Sequence, residues 1–474
     1  MLILHILLGL VIHSLSWVAA IHALLTKRDP RSALGWTTCV IFLPLVGPLL
    51  YALFGISRAQ SRAEKILRRE AAHDRARTLS ACNPVAPGTE SRPESEEAVI
   101  LARTGHKLTE LPLCGGNAIT PLHNGDEAYP AMLAAIDAAK SHVFLATYIF
   151  NAGKAGHAFV EALTRAADRG VDVRVLVDGV GALYSWHKPW KVLKRRGVAT
   201  ARFLPPSLIP PKFSINLRNH RKVLVCDAVG FTGGMNISDG NLASAGRRRI
   251  QDMHFRCVGP VVSSLRHAFV LHWGFCTGDY APPPPMPDAP AGDHHCRLVV
   301  DGPGNDADVI NDLICGAINM ARKRVRIMTP YFLPSHDLMG ALRSAGQRGV
   351  DVRVVLPAKN NLPYMNWATS RLLPGLLSAG VRVLYQPPPF AHTKLLVVDD
   401  FYTQVGSANL DARSLRLNFE LNMEIFDPSF AGGIADFIDA AVEKGREITL
   451  SELEAETLPV KLRNSACWLF SPYL

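Results

Sequence analysis

Asn219-His-Arg-Lys-Val-Leu-Val-Cys-Asp227, with Gly233-Gly-Met-Asn236 just downstream, sets an imidazole, an ammonium group and a carboxylate at fixed spacing. The run from Val223 to Cys226 is apolar and rich in strand-forming residues. Side chains alternate along an extended chain, so His220 and Lys222 point to one face. Gly233 and Gly234 permit a tight turn, and the Asn236 amide that follows can donate hydrogen bonds. A single His-x-Lys carries little information and usually marks a solvated strand edge. Here the pattern recurs as His392-Thr-Lys394-Leu-Leu-Val-Val-Asp399, followed by Gly406-Ser-Ala-Asn409. The two histidines lie 172 residues apart. A shared Asp offset and a shared Gly-containing tail make coincidence a poor explanation.

A wider duplication surrounds these motifs. Arg169-Gly-Val-Asp-Val-Arg-Val175 returns as Arg348-Gly-Val-Asp-Val-Arg-Val354. Helical spacing over 129–140, a strand over 142–150, a helix over 156–169 and a strand over 171–178 are repeated as 309–322, 324–331, 337–348 and 350–356. The alternation predicts α/β units on a parallel or mixed sheet. Four consecutive prolines in Ala281-Pro-Pro-Pro-Pro-Met-Pro-Asp-Ala-Pro290 predict a stiff surface connector between the halves. Asp293-His-His-Cys296 reads as the entry to a strand with His294 and His295 exposed; no surrounding Cys/His-rich zinc module accompanies it.

The chain has 474 residues, room for two or three units, and a formal charge of +10 that favours anionic partners. A mean hydropathy of +0.11 points towards a membrane. Residues 2–25 are nearly all apolar and residues 34–54 carry no charge, so two spans joined by a short loop are predicted. Residues 58–77 carry seven Lys and Arg against three acids; that flank predicts both termini and the body on the cytoplasmic side. Residues 59–77 read equally well as a basic helix on anionic headgroups and as a solvated linker. Residues 82–96 read as linker. The nine cysteines are scattered without a C-x-x-C pair, which predicts reduced, mostly buried thiols.

At these motifs the chain resembles bacterial cardiolipin synthases of the phospholipase D superfamily, with their duplicated H-x-K-x4-D signature. Thr329-Pro-Tyr-Phe-Leu-Pro334 and Asp411-Ala-Arg-Ser-Leu-Arg-Leu-Asn-Phe-Glu420 are the other pieces that carry the likeness. The resemblance implies a transmembrane hairpin over 1–56, a basic linker over 57–96, phospholipase D-like α/β/α domains over 97–280 and 293–474, and the connector 281–292. The two domains would be related by a pseudo-two-fold axis and share one active site. It implies His220 as nucleophile, forming a covalent phosphohistidine, and His392 as acid and base; the sequence alone is too symmetric to choose. Lys222, Lys394, Asn236 and Asn409 would hold the phosphoryl oxygens, Asp252 and Glu420 would orient the histidines, and Asp227 and Asp399 would anchor the motifs. No cofactor and no metal are expected. The implied reaction joins two phosphatidylglycerol molecules into cardiolipin and releases glycerol, with anionic membrane lipid as partner, in a bacterial inner membrane. A hydrolase or a transphosphatidylase with another acceptor uses the same groups. Nucleic acid is disfavoured by the apolar spans and by the lack of strands that mix basic and aromatic residues. A membrane scaffold is the non-enzymatic alternative, and the oligomeric state is left open. Tyr148 and Tyr331 occupy equivalent positions, read as core aromatics or as borders of the site. Asn151-Ala-Gly-Lys-Ala-Gly156 stands where many relatives have acids, leaving the acceptor open.

Overall fold

The computed structural model describes residues 2–27, 29–55, 95–208, 211–212, 217–281, 283, 289–303 and 308–471. Most of the expected linker, including the candidate basic helix, much of the proline connector and residues 472–474 lie outside them. The chain divides into two units, Met1–Arg62 and Ala63–Leu474.

In the first unit, α1 (Leu2–Thr26) is long and apolar enough to cross a bilayer, with a mean hydropathy of 2.0 over Ile3–Thr26. Among the described residues, no second helix is long enough to span a bilayer alone. The Asp29 carboxylate caps α2 (Pro30–Phe42) by accepting from the amides of Arg31 and Ser32. The helix then stops at Leu43, the residue before Pro44, where a following proline disfavours helical backbone. A separate short helix, α3 (Val46–Leu50), continues into a π turn at Tyr51–Gly55. Ala20, Ala23, Val40 and Tyr51 form the unit's small core.

The second unit is built on one 16-stranded mixed sheet. Its first half supplies β1 (Cys114–His123), β2 (His142–Thr147), β3 (Asp172–Asp178), β4 (Ala199–Phe203), β5 (Val223–Cys226), β6 (Val229–Gly233) and β7 (Met253–Val258). The second half supplies β8 (His294–Asp301), β9 (Arg324–Met328), β10 (Asp351–Pro357), β11 (Arg382–Gln386), β12 (Leu395–Val398), β13 (Tyr402–Gly406) and β14 (Asn418–Phe426). Outward from the middle, the order is β1-β7-β6-β5-β2-β3-β4 on one side and β8-β14-β13-β12-β9-β10-β11 on the other. The halves are therefore the same arrangement turned about the β1–β8 seam, which is antiparallel. Helices α4 (Glu96–Thr109), α5 (Asn124–Ala138), α6 (Lys154–Asp168), α7 (Val261–Thr277), α8 (Val309–Met320), α9 (His336–Gln347) and α10 (Pro428–Lys444) complete the named elements. Of the two main apolar clusters, one surrounds Phe159 and Leu224 in the first half, and the other surrounds Ile314 and Leu342 in the second and also takes in Ala98 and Leu101 of α4.

The duplicated phrases have local physical causes. Gly170 and Gly349 take φ of 84° and 85°, the left-handed conformation that ends α6 and α9. Beside them, the Arg169 guanidinium donates to the carbonyls of Ile136 and Ala139, and that of Arg348 to Ile318 and Ala321. The Asp227 carboxylate accepts from the amides of Lys140, Ser141 and His142 at 2.8–3.0 Å. The Asp399 carboxylate accepts from Arg322, Lys323 and Arg324, each at 2.8 Å. Each aspartate thus holds the lead-in to the central strand of its half, β2 or β9. His294 and His295 do enter a strand, but they are half-buried, not exposed, and the His294 ring accepts from the Ile119 amide across the β1–β8 seam.

Asp399→Ala leaves three amides without their acceptor and is expected to cost about 3 kcal/mol. Thermal unfolding in detergent should show a Tm lower by several degrees, and an unchanged Tm would contradict this anchoring.

Candidate active site

Both motif histidines sit just ahead of a short buried strand and reach across to the other half. Arg218–Asn219 pairs in parallel with Asn418–Phe419, and the His220 amide donates to the Phe419 carbonyl at 2.9 Å. In the mirror position, Phe390–Ala391 pairs with Ile250–Gln251, and the His392 amide donates to the Gln251 carbonyl at 2.7 Å. Backbone pairing therefore sets each imidazole against an acid from the opposite repeat.

The acids are crossed between the halves. His220 Nδ1 lies 2.9 Å from Glu420 Oε2, and His392 Nδ1 lies 2.9 Å from Asp252 Oδ2. Spacing along the chain gave no hint of this exchange, since each acid lies downstream of its own repeat's histidine. Glu420 is fully buried on β14 and also accepts from Ser407 Oγ at 2.6 Å, Ser414 Oγ at 2.5 Å and Asn418 Nδ2 at 3.0 Å. Burial alone would raise its pKa, but His220, Lys222 and these donors outweigh burial and hold it below the usual carboxylate value. An ionised Glu420 is acceptor-only, so His220 Nδ1 carries the proton and Nε2 keeps its lone pair. On the other side, Asp252 Oδ1 accepts from the Met253 amide. A Cβ at Gly234 would stand 2.6 Å from that carboxylate oxygen, so the second glycine of the tail is needed for clearance.

The lysines are as deeply placed. Lys222 Nζ donates to the His220 carbonyl at 2.6 Å and lies 5.7 Å from the Tyr148 ring centre. Lys394 Nζ donates to the His392 carbonyl and lies 3.1 Å from His392 Nε2. Burial lowers the Lys222 pKa to about 7, with Lys394 adding repulsion and Glu420 opposing; burial lowers Lys394 to about 8. Burial and the Lys394 charge lower His392 to about 4, against the pull of Asp252, and burial also lowers His220. The Lys394 charge repels the Lys222 ammonium, while the Glu420 and Asp252 carboxylates favour the charged form of both lysines.

The asparagines are less alike. Asn236 is held by its Oδ1, which accepts from the Ile149 amide at 3.1 Å. Asn409 is buried, donates from its backbone amide to Ser414 Oγ, and has a side-chain Oδ1 without a hydrogen-bond partner. The Tyr148 ring stands 5.2 Å from the His220 ring and the Tyr331 ring 6.3 Å from the His392 ring, both half-buried, so both border the histidines, and Tyr331 also packs against the small apolar cluster of Leu333, Met365 and Ala368.

Several contributors had no assigned role in the sequence reading. Asp178 is buried and accepts from the amides of Val180, Gly181 and Asn219, fixing the turn into the first motif; burial raises its pKa to about 6. Asp411 accepts from the Ser414 amide at 2.7 Å, and burial raises it to about 7. Ser407, Ser414 and Asn418 were visible within the Gly-Ser-Ala-Asn tail and the Asp411–Glu420 segment, but nothing in their spacing showed that they converge on one carboxylate.

The family described as "Cardiolipin synthase, PLD-like domain" matches residues 132–266 and 314–441, one match in each half. The phospholipase D-nuclease N-terminal family matches residues 14–55. The chain is 35% identical over 451 residues to cardiolipin synthase A of Pseudomonas putida, covering 94% of this chain and 93% of that one. It is 33% identical over 475 residues to cardiolipin synthase A of Pseudomonas aeruginosa, covering 98% and 95%. Among solved structures, the phosphatidylserine synthase of Haemophilus influenzae superposes with a TM-score of 0.62 over 79% of this chain and all of that one; at 15% identity this is a likeness of fold. Matches in both halves, and alignment with these relatives along nearly the whole chain, establish that this chain belongs to the bacterial cardiolipin synthase family of the phospholipase D superfamily.

Proposed function

We propose that the chain makes cardiolipin by phosphatidyl transfer between two phosphatidylglycerol molecules, in one site shared by the two halves. The observation that carries this reading is the crossed pairing of each histidine with the other half's acid. His220 Nε2 attacks phosphorus; an N–P bond forms as the bond to the glycerol oxygen breaks. His392 gives its proton to that oxygen and glycerol leaves. The terminal hydroxyl of a second phosphatidylglycerol then loses its proton to His392, and its oxygen attacks phosphorus. The N–P bond breaks, cardiolipin departs and His392 is protonated again. Lys222, Lys394 and the amides of Asn236 and Asn409 stabilise the phosphoryl oxygens as charge builds.

Substrate charge completes the electrostatics. The phosphodiester anion adds to the counter-charge that Glu420 and Asp252 already set beside the two buried lysines. It also offsets the repulsion that lowers His392, so the imidazole can hold a proton once substrate is bound. No metal is needed for this charge balance. The apolar α1 supports residence in the bacterial inner membrane, where both substrates lie, and the basic residues that follow support a cytoplasmic catalytic body.

Purified protein given phosphatidylglycerol alone is expected to release cardiolipin and glycerol in equal amounts, and His220→Ala to abolish both. Phosphatidic acid as the main lipid product would make water the acceptor and the protein a hydrolase. Full activity in His220→Ala would remove the enzyme reading from this site. Glu420→Gln, which keeps shape but loses the anion that fixes the His220 tautomer, is expected to lower kcat at least about 100-fold with KM little changed. A change in KM alone would contradict that role.

The rate should also fall on the alkaline side unusually early. Both lysines have lowered pKa values, so the ammonium forms are present below about pH 7–8 and are lost as pH rises through that range. Lys222→Arg keeps a positive charge at any accessible pH. It is therefore expected to move the alkaline limb of kcat/KM upward, towards the Lys394 value of about 8, even if the maximum rate drops. An unmoved limb would mean that Lys222 does not control it.

A further inference from the structure

Residues 30–55 fold back on themselves beside α1. Three contacts with α1 fix the direction of the chain. The Pro44 carbonyl, at the break after α2, accepts from Ser16 Oγ at 3.0 Å. The Tyr51 hydroxyl lies 2.8 Å from His22 Nδ1. The Gly55 carbonyl accepts from Lys27 Nζ. As residue number rises along the returning limb, so does that of its partner in α1. The limb therefore runs parallel to α1, back to the end where α1 finishes and α2 begins.

Contacts within the segment agree. A Cβ at Gly47 would stand 2.4 Å from the Cys39 carbonyl oxygen and 2.7 Å from Val40 Cα, so the chain has reversed directly onto α2 and a glycine is required there. Further along, the Trp36 and Tyr51 rings are 5.4 Å apart. These pairings match an antiparallel turn, since a continuous helix would carry Gly47 well away from Cys39.

The depth of the reversal follows from α1. Ser16 lies ten residues before Thr26, about 15 Å along a helix, or half of a hydrocarbon layer roughly 30 Å thick. The 13 residues of α2 reach about 20 Å, too short to cross. Irregular backbone at membrane depth is tolerated where protein satisfies it. Ser16 is buried and supplies a donor to the Pro44 carbonyl.

We propose that the chain crosses the bilayer once, through α1, and that residues 30–55 form a re-entrant wedge that enters and leaves by the cytoplasmic face. The charge distribution then has one reading. Residues 2–26 hold no Lys, Arg, Asp or Glu, whereas Lys27, Arg28 and Arg31 join the basic 58–77 stretch on a single face. With two complete spans, those charges would be divided between opposite faces. The Leu2 end of α1 is consequently periplasmic, in place of the cytoplasmic position expected from two spans. This inference is independent of the reaction catalysed.

An epitope tag before Met1 and another after Leu474 of the full chain, probed with antibody in intact spheroplasts and in inside-out inner-membrane vesicles, test the topology whether or not cardiolipin is made. The first tag is expected to be reached in spheroplasts and the second in vesicles. Both tags on one face would overturn the proposal. To test depth, a fluorophore on Leu45→Cys, in a chain whose other cysteines are replaced, is quenched by lipids carrying nitroxide at different acyl positions. Mid-chain nitroxides are expected to quench most. Strongest quenching from either headgroup region would overturn the wedge, even with the tags on opposite faces.

Discussion

A buried imidazole facing a buried carboxylate from the other repeat is the constraint on which the rest of the second unit depends. An uncompensated carboxylate at the position of Glu420 would be costly to bury, and its four side-chain donors come from both halves. Those donors require that Arg218–Asn219 lie along Asn418–Phe419, consistent with the two halves of the sheet meeting at the β1–β8 seam. The mirror relation at Asp252 and His392 repeats the demand. The duplication therefore does more than double a fold: it makes each half's acid meaningful in the presence of the other half's histidine.

Burial that fixes the geometry also sets the charge state. Four groups that would ordinarily be solvated are buried together, and the Lys394 charge lowers both Lys222 and His392. A phosphodiester anion in such a site favours the charged forms of the lysines and of His392. Binding and catalysis are thus tied to the same charge, which favours a phosphorylated lipid over a neutral one. The first unit addresses a different problem, reaching a substrate that lives in a bilayer, and solves it with apolar surface that would be a liability in water.

Much of this was legible in the sequence because repetition reports local physics. Gly170 and Gly349 had to recur because a left-handed residue ends each helix, and Asp227 and Asp399 because each holds three amides. The alternation of helices and strands was readable for the same reason. The exchange of acids between halves was not, since spacing along a chain says nothing about which strand edges meet. Ser407 and Ser414 were hidden because a lone hydroxyl has no periodicity. The break within the second apolar stretch was not readable because hydropathy counts composition, whereas Pro44 and Gly47 decide where the helix stops and how closely it folds back. His294 looked like a strand-edge residue, and its half-burial follows from the β1–β8 seam, which no local pattern announces.

The central claim is that two motifs make one site. Rapid quenching of the enzyme during turnover of phosphatidylglycerol, under alkaline conditions that preserve phosphohistidine, gives the number and position of covalent phosphatidyl groups by peptide mass mapping. One adduct per chain, on His220, with a matching burst of one glycerol, is the result expected. Two adducts per chain, one on each histidine, would mean that the halves work as separate sites and would contradict the shared site.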